Sequence, residues 1–139
     1  MDTPEHLTAQ QALICAMLLM AASTGHVDDA ELAQMTRLVQ DLPAFAELTP
    51  EEVARSTEAC LPLLHDEEGL EHAFDLIREA LPPRLRETAY LLACEVAAAD
   101  GEAVEEELRM LQQLRIGLEL DRLIAGAIER AARARYQVI

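Results

Sequence analysis

The residues of this chain that are best placed for chemistry are acidic, and they surround two glycine turns. In the second turn Asp100 precedes Gly101, and Glu107 follows the glycine six positions later. This spacing is that of the end of an EF-hand loop, in which a glutamate closes the loop around calcium. The beginning of such a loop is missing, because its first and third ligand positions would be Val96 and Ala98. An EF-hand is therefore excluded.

The same residues also fit a purely structural role, and the sequence leaves both interpretations open. Gly25 and Gly101 can end helices in the left-handed conformation, and Glu31 and Glu107 can cap the helices that follow. Glu95 is harder to explain by capping, because it lies in an apolar stretch where a carboxylate needs a partner or a cation. If the acids form a metal-binding cluster, its predicted ligands are Glu95, Asp100, Glu107, Glu31 and Asp28.

The acidic cluster could be neutralised by a cation or by an arginine. Hard oxygen ligands favour calcium, magnesium or manganese, and zinc is the weaker option, which His26 would admit. Without a cation, an arginine from another helix, such as Arg109 or Arg122, would pair with Glu95. Glu68 and His72 lie one helical turn apart, but they lack the spacing of di-iron or zinc-protease motifs, so we interpret them as surface residues.

Other features argue against an enzyme. The chain has no glycine-rich phosphate loop and no nucleophile elbow. Cys15, Cys60 and Cys94 are far apart among apolar residues, which predicts buried core thiols. The methionines outside the N-terminus are predicted to fill gaps in the core; they are Met17, Met20, Met35 and Met110.

The charge of the chain limits its partners. Its formal net charge is −15, and residues 1–121 hold 25 acids against seven arginines, whereas residues 122–139 hold four arginines and one glutamate. Such a surface repels phosphate backbones, so nucleic acid is excluded as a partner, and cations or basic proteins are expected. No signal peptide and no transmembrane segment are expected, since residues 1–6 are polar and the apolar stretches are short. We therefore expect a cytoplasmic protein.

Apolar periodicity and capping signals predict an all-α single domain over residues 1–139, with a flexible segment at 1–6. Gly117 is predicted to separate the last two helices, and Pro82 and Pro83 to separate the fourth from the fifth. Seven helices are expected, at about 8–24, 28–41, 49–64, 66–81, 83–99, 104–116 and 119–135.

A shift of 76 positions aligns the segment from Ala21 to Val27 with the segment from Ala97 to Ala103, and then Glu31 with Glu107. Each copy reads as a buried helix, a glycine turn and an amphipathic helix. Two such helical hairpins predict pseudo-symmetric halves of one helical bundle. Residues 12–23 and 89–99 are apolar on nearly every face, so they should be the most buried helices and should pack together.

The repeated buried helix, the turn at Ala98–Gly101 and the glutamate seven residues after Asp100 resemble the TerB-like family. This family includes tellurite-resistance proteins and the related domain of a membrane-anchored DnaJ-type co-chaperone. The resemblance covers roughly residues 7–134. It implies an all-helical, non-enzymatic protein with divalent-cation ligands at Asp100, Glu107 and Glu31. One departure is Thr24, which stands where the family prefers Asp.

The resemblance and the charge together predict a stress-related module that binds a divalent cation through the acidic turn cluster and a protein partner through its acidic surface. The resemblance places such a module at the inner face of the membrane, in an associated complex, and a homodimer is compatible with the sequence. The alternatives are a metal-independent helical scaffold, in which the acids only cap helices, and a metal-dependent hydrolase.

Overall fold

Helices account for all regular secondary structure in the part of the chain that the computed structural model describes, which is residues 5–25, 27, 29–64, 67–99 and 103–139, with only the backbone of 67–69. Two 3-10 helices, Pro43–Phe45 and Leu61–Leu64, accompany the α-helices. The seven α-helices are α1 (Ala9–Ala22), α2 (Asp29–Gln40), α3 (Pro50–Cys60), α4 (Glu67–Ala80), α5 (Pro83–Ala99), α6 (Glu105–Gly117) and α7 (Arg122–Arg135). The predicted all-α fold is confirmed.

The caps of α1 and α3 follow from local sequence. The Thr8 hydroxyl accepts a hydrogen bond from the Gln11 backbone N–H (3.1 Å), and the Gln11 side chain accepts one from the Thr8 N–H (2.9 Å). Thr49 and Glu52 make the same reciprocal pair at the start of α3. Each of these capping boxes satisfies two backbone donors that a helix start leaves without a partner.

Local sequence signals predict the end of α1 correctly but not the end of α3. Gly25 follows α1 with φ +117°, a conformation that L side chains rarely adopt. The third helix was expected to reach residue 64, but α3 ends at Cys60 and continues as a 3-10 turn. Pro62 lies within that turn, and its ring and missing N–H disfavour continued α-helix. The turn at Gly101 lies outside the described residues.

The core is built around α1. Every residue from Ala12 to Ala21 is buried, so this helix has no face left for solvent along that length. It packs most extensively against α5 and also contacts α3, α4 and α6, while α7 covers the outer side of α5. The predicted packing of the two apolar helices against each other is confirmed. No helix among the described residues is long and apolar enough to cross a bilayer.

The junction between α6 and α7 lies next to Gly117, as expected, but a different residue ends α6 in the left-handed conformation. This glycine is the last residue of α6, and the left-handed residue is Glu119, with φ 57°. The Glu119 N–H donates to Ile116 O (3.0 Å) and the Leu120 N–H to Arg115 O (3.1 Å). This Schellman pattern ends α6 at a residue with a side chain, although glycine is the usual choice there.

Position 117 requires a residue without a side chain because another helix lies against it. A Cβ atom at this position would lie 3.1 Å from Cβ and 3.2 Å from Cγ of Phe74 on α4. The Gly117 carbonyl also accepts a hydrogen bond from Arg78 Nη1 of the same helix (3.2 Å). The glycine is therefore a packing requirement of the α4–α6 contact, which helix-termination rules do not reveal.

We predict opposite effects for two Gly→Ala substitutions. Gly117→Ala should lower the free energy of unfolding by about 1 kcal/mol, because the new methyl group presses on Phe74. Gly126→Ala is the matched control, since Gly126 is exposed within α7 and nothing lies within 4 Å of the added Cβ. It should raise the free energy of unfolding by about 1 kcal/mol through helix propensity. Urea unfolding measures both, and an equal rise in both variants would contradict the packing role of Gly117.

Candidate functional site

The two glutamates that correspond in the sequence repeat, Glu31 and Glu107, line one small cavity. Glu31 is the third residue of α2, and Glu107 is the third residue of α6. The cavity has a volume of about 20 Å³. Its other lining residues come from α2, the end of α1 and α5; they are Ala21, Thr24, Gln34, Met35, Leu38 and Val96. The fold thus brings together two acids that lie 76 positions apart in the chain.

Glu107 combines a structural and an electrostatic role. Its side chain is 6% exposed, and it is the buried acid of the described core. Its Oε1 accepts a hydrogen bond from the Val104 backbone N–H (3.1 Å), which is the capping contact expected from the sequence. Glu107 also lines the cavity shared with Glu31. Capping and cavity lining are therefore compatible in one side chain.

The size of the cavity limits what it can hold. A space of this volume accommodates about one water molecule or one ion. Carboxylate and hydroxyl oxygens are suitable ligands for a hard divalent cation. Thr24, at the end of α1, donates its hydroxyl to the Ala21 carbonyl (3.4 Å), and a hydroxyl oxygen keeps acceptor capacity.

Two of the other predicted metal ligands cannot be placed at the cavity. Asp28 and Asp100 lie outside the described residues, as does His26. Within the described ranges, no group of three or more His, Cys, Asp or Glu residues is placed to hold a metal ion. The described part of the chain therefore supplies two carboxylates, Glu31 and Glu107, at this cavity.

Glu95 lies in a different environment. Its side chain is 12% exposed, and its Oε1 is 2.9 Å from Nε of Arg135 on α7. An arginine partner was one of the two alternatives for this residue, but the arginine is Arg135 instead of Arg109 or Arg122, and Arg109 pairs with Glu105 (3.4 Å). Glu95 is not among the residues that line the cavity. Its predicted role as a cation ligand stays a prediction, which this ion pair does not support.

A second polar contact joins the same two helices. The Tyr90 hydroxyl on α5 donates a hydrogen bond to Oε2 of Glu129 on α7 (2.9 Å). Burial raises the pKa of Tyr90, so its hydroxyl keeps its proton and remains a donor. Burial also raises the pKa of Cys94 to about 12, and the Glu129 and Glu95 carboxylates add to the shift. These contacts attach α7 to α5 and do not form a reactive centre.

The other two cysteines are also unsuited to nucleophilic chemistry. Cys15 on α1 and Cys60 on α3 are fully buried free thiols. The pKa of Cys15 is raised well above its ordinary value, first by its hydrogen bond with Cys60 and then by burial. Cys60 Sγ donates to the Gln11 carbonyl of α1 (3.4 Å). The prediction of buried core thiols is confirmed.

One polar residue of the cavity and the ion-pair partner of Glu95 were not predicted from the sequence. Gln34 lies three residues after Glu31, so both occupy the same face of α2, and this spacing could have identified it. Arg135 lies 40 positions after Glu95, and no local signal connects them. Only the packing of α7 on α5 brings that pair together.

Comparison with known protein families gives one match. The family described as tellurite resistance protein TerB matches residues 10–129, which include both acids of the cavity. Comparison with curated proteins and comparison with solved structures give no match.

We predict that none of the three thiols reacts in the native protein. At about pH 8 a thiol reagent such as dithionitrobenzoate attacks accessible thiolates, whereas burial shields all three thiols and the raised pKa values of Cys15 and Cys94 keep those two protonated. Unfolding in guanidinium should release all three. Ala131→Cys places a thiol on the exposed face of α7 and should react at once, as the control for the reagent. Fast modification of any native thiol would contradict this account of the core.

Proposed function

The chain belongs to the tellurite resistance protein TerB family, and on that basis we propose that it is a non-enzymatic, stress-related module that binds a divalent cation and a protein partner. The cation would bind at the acidic turn cluster, and the partner would bind the acidic surface. The observation that carries the cation half is the shared cavity of Glu31 and Glu107.

The electrostatics of the cavity support a cation. Acidic residues of two different helices, Glu31 and Glu107, line one small space, and carboxylate oxygens are the ligands that a hard divalent cation prefers. A divalent ion bound there would link α2 to α6. Oxygen ligands and a volume of about one ion favour calcium, magnesium or manganese, with zinc as the weaker option. Asp28 and Asp100 are proposed as further ligands.

Several observations support a role without catalysis. The described cysteines are buried, and the sequence carries no nucleophile elbow or phosphate loop. The net charge of −15 favours basic partners and disfavours nucleic acid. We propose a cytoplasmic location, with the partner in a complex at the inner face of the membrane, and we propose that the chain folds as a single domain.

One competing function rests on an observation in the structure. Glu107 caps α6 through the Val104 N–H, and capping alone accounts for a glutamate at this position. In that case the protein is a metal-independent interaction scaffold. A metal-dependent hydrolase would require a bound metal together with turnover of a phosphate or ester substrate.

We predict that Glu107→Gln weakens cation binding without unfolding α6. The amide oxygen can still accept the Val104 N–H, while the charge at the cavity is removed. Calorimetric titration of the metal-free protein with calcium, magnesium, manganese and zinc should show binding of at least one ion. Thermal stability should rise with its concentration, by about 2.7 kcal/mol at a hundred times the dissociation constant. Glu107→Gln should lose most of this increase.

Glu52→Gln is the matched control for this experiment. Glu52 also accepts a hydrogen bond from the N-cap backbone of its helix, α3, but it does not line the cavity. This variant should bind the cation as the parent does. Absence of binding heat for every ion at millimolar concentration would establish the scaffold in place of the cation module. Equal losses in the two variants would show that capping, and not charge at the cavity, underlies the effect.

A further inference from the structure

A larger apolar space borders an adjoining face of α2. It is a groove of about 320 Å³ between α2 and α3, and residues of α1 contribute to its lining. This volume falls in the range of ligand-binding sites. The groove is lined by Ile14, Met17, Leu32, Ala33, Met35, Thr36, Val39, Val53, Ala54, Thr57, Glu58 and Leu61.

The polar side chains of the groove are mostly engaged with their own helices. The Thr36 hydroxyl donates to the Leu32 carbonyl and the Thr57 hydroxyl to the Val53 carbonyl, both at 3.0 Å. These side chains can therefore offer their methyl groups to an occupant. Glu58, which is exposed, is the single charged residue among those that line the groove. The lining is thus apolar with one acid.

The dimensions of the groove match a short helical segment. Its lining runs from Leu32 to Val39 along α2 and from Val53 to Leu61 along α3. At 1.5 Å per residue each wall is about 10 to 12 Å long. The apolar anchors of an amphipathic helix at positions i, i+3 or i+4, and i+7 span about 10.5 Å. Met17 and Met35 contribute to the lining as buried residues.

The charge around the groove favours a positively charged occupant. Residues 29–61, which form both walls and their connection, contain seven acids and two arginines, a net charge of −5. An acidic helix would be repelled, whereas a helix with lysine or arginine beside its apolar face would be attracted. Apolar anchoring and charge therefore favour the same kind of partner.

We propose that the groove between α2 and α3 binds a basic amphipathic helix of a partner protein. This inference rests on the partner half of the proposed function and is independent of the cation half. It assigns the partner to one place on the acidic surface. Two or three apolar side chains of the partner helix would enter the groove, while its basic side chains would contact the acidic residues around it.

A synthetic peptide tests the proposal directly. The probe is a labelled lysine–leucine peptide of about 14 residues whose leucines repeat at the helical i, i+3, i+4, i+7 spacing. Binding to the full chain is measured by fluorescence anisotropy and should weaken as salt is raised. Two further peptides are controls: one has glutamate in place of each lysine, and the other has the same composition with the leucines spread over all faces. Neither should bind.

Substitutions in the groove locate the binding site. Ala33→Leu and Ala54→Leu add bulk from the exposed edges of the two walls, and leucine is well tolerated in helices. Each should weaken peptide binding about tenfold or more, while circular dichroism melts confirm that the fold persists. Ala131→Leu, on the exposed face of α7, is the matched control and should leave peptide binding unchanged.

The outcomes separate this inference from the proposed function. Equal peptide binding by the parent and both groove variants would overturn the groove site, while the acidic surface could still bind a basic partner elsewhere. Binding of the neutral dye Nile red in the groove, with no peptide binding, would assign the site to a small apolar molecule and overturn the proposal. Dimers by light scattering that Ala54→Leu abolishes would assign it to a second copy and also overturn the proposal. The groove variants should bind the cation as the parent does in calorimetry. A failure of the proposed cation binding can therefore be distinguished from a failure of the proposed groove site.

Discussion

The burial of α1 on every side is the constraint that arranges the rest of the molecule. Ten consecutive residues, from Ala12 to Ala21, are removed from solvent, and a helix without a polar face is stable only when other helices surround it. The helices α3, α4, α5 and α6 therefore each contribute apolar side chains to the surface of α1. The turn after α1 then delivers α2, with Glu31, to the same region as the N-terminal part of α6.

The helix α7 depends on a different set of interactions, because it packs on α5 and not on α1. Small residues such as Ala125 and Ala132 are buried in this contact. Its two polar links are Tyr90 with Glu129 and Glu95 with Arg135. Arg135 is 66% exposed, so its ion pair contributes modestly to stability, and apolar residues of α7, including Ile128, add packing against the core. A carboxylate in the apolar sequence of α5 thus has a structural partner.

Features governed by neighbouring residues could be predicted from the sequence, and features governed by distant contacts could not. Thr8 and Thr49 specify their helix starts because capping involves residues three positions away. Gly117 lies at the predicted boundary of the last two helices, but its packing constraint comes from Phe74 on another helix and could not be predicted. The capping role of Glu107 is local, but its meeting with Glu31 in one cavity depends on the packing of α2 and α6 around α1.

The position of α2 connects the acidic cavity with the apolar groove. Met35 lines both spaces, and Glu31 lies on the same helix one turn before it. Only Met35 and Val39 of α2 are buried, so this helix is held by fewer apolar contacts than α1 or α5. A helix held in this way moves at lower cost than one at the centre of the core. Because α2 lines both spaces, its packing fixes the position of Glu31 in the cavity and also the position of one wall of the groove.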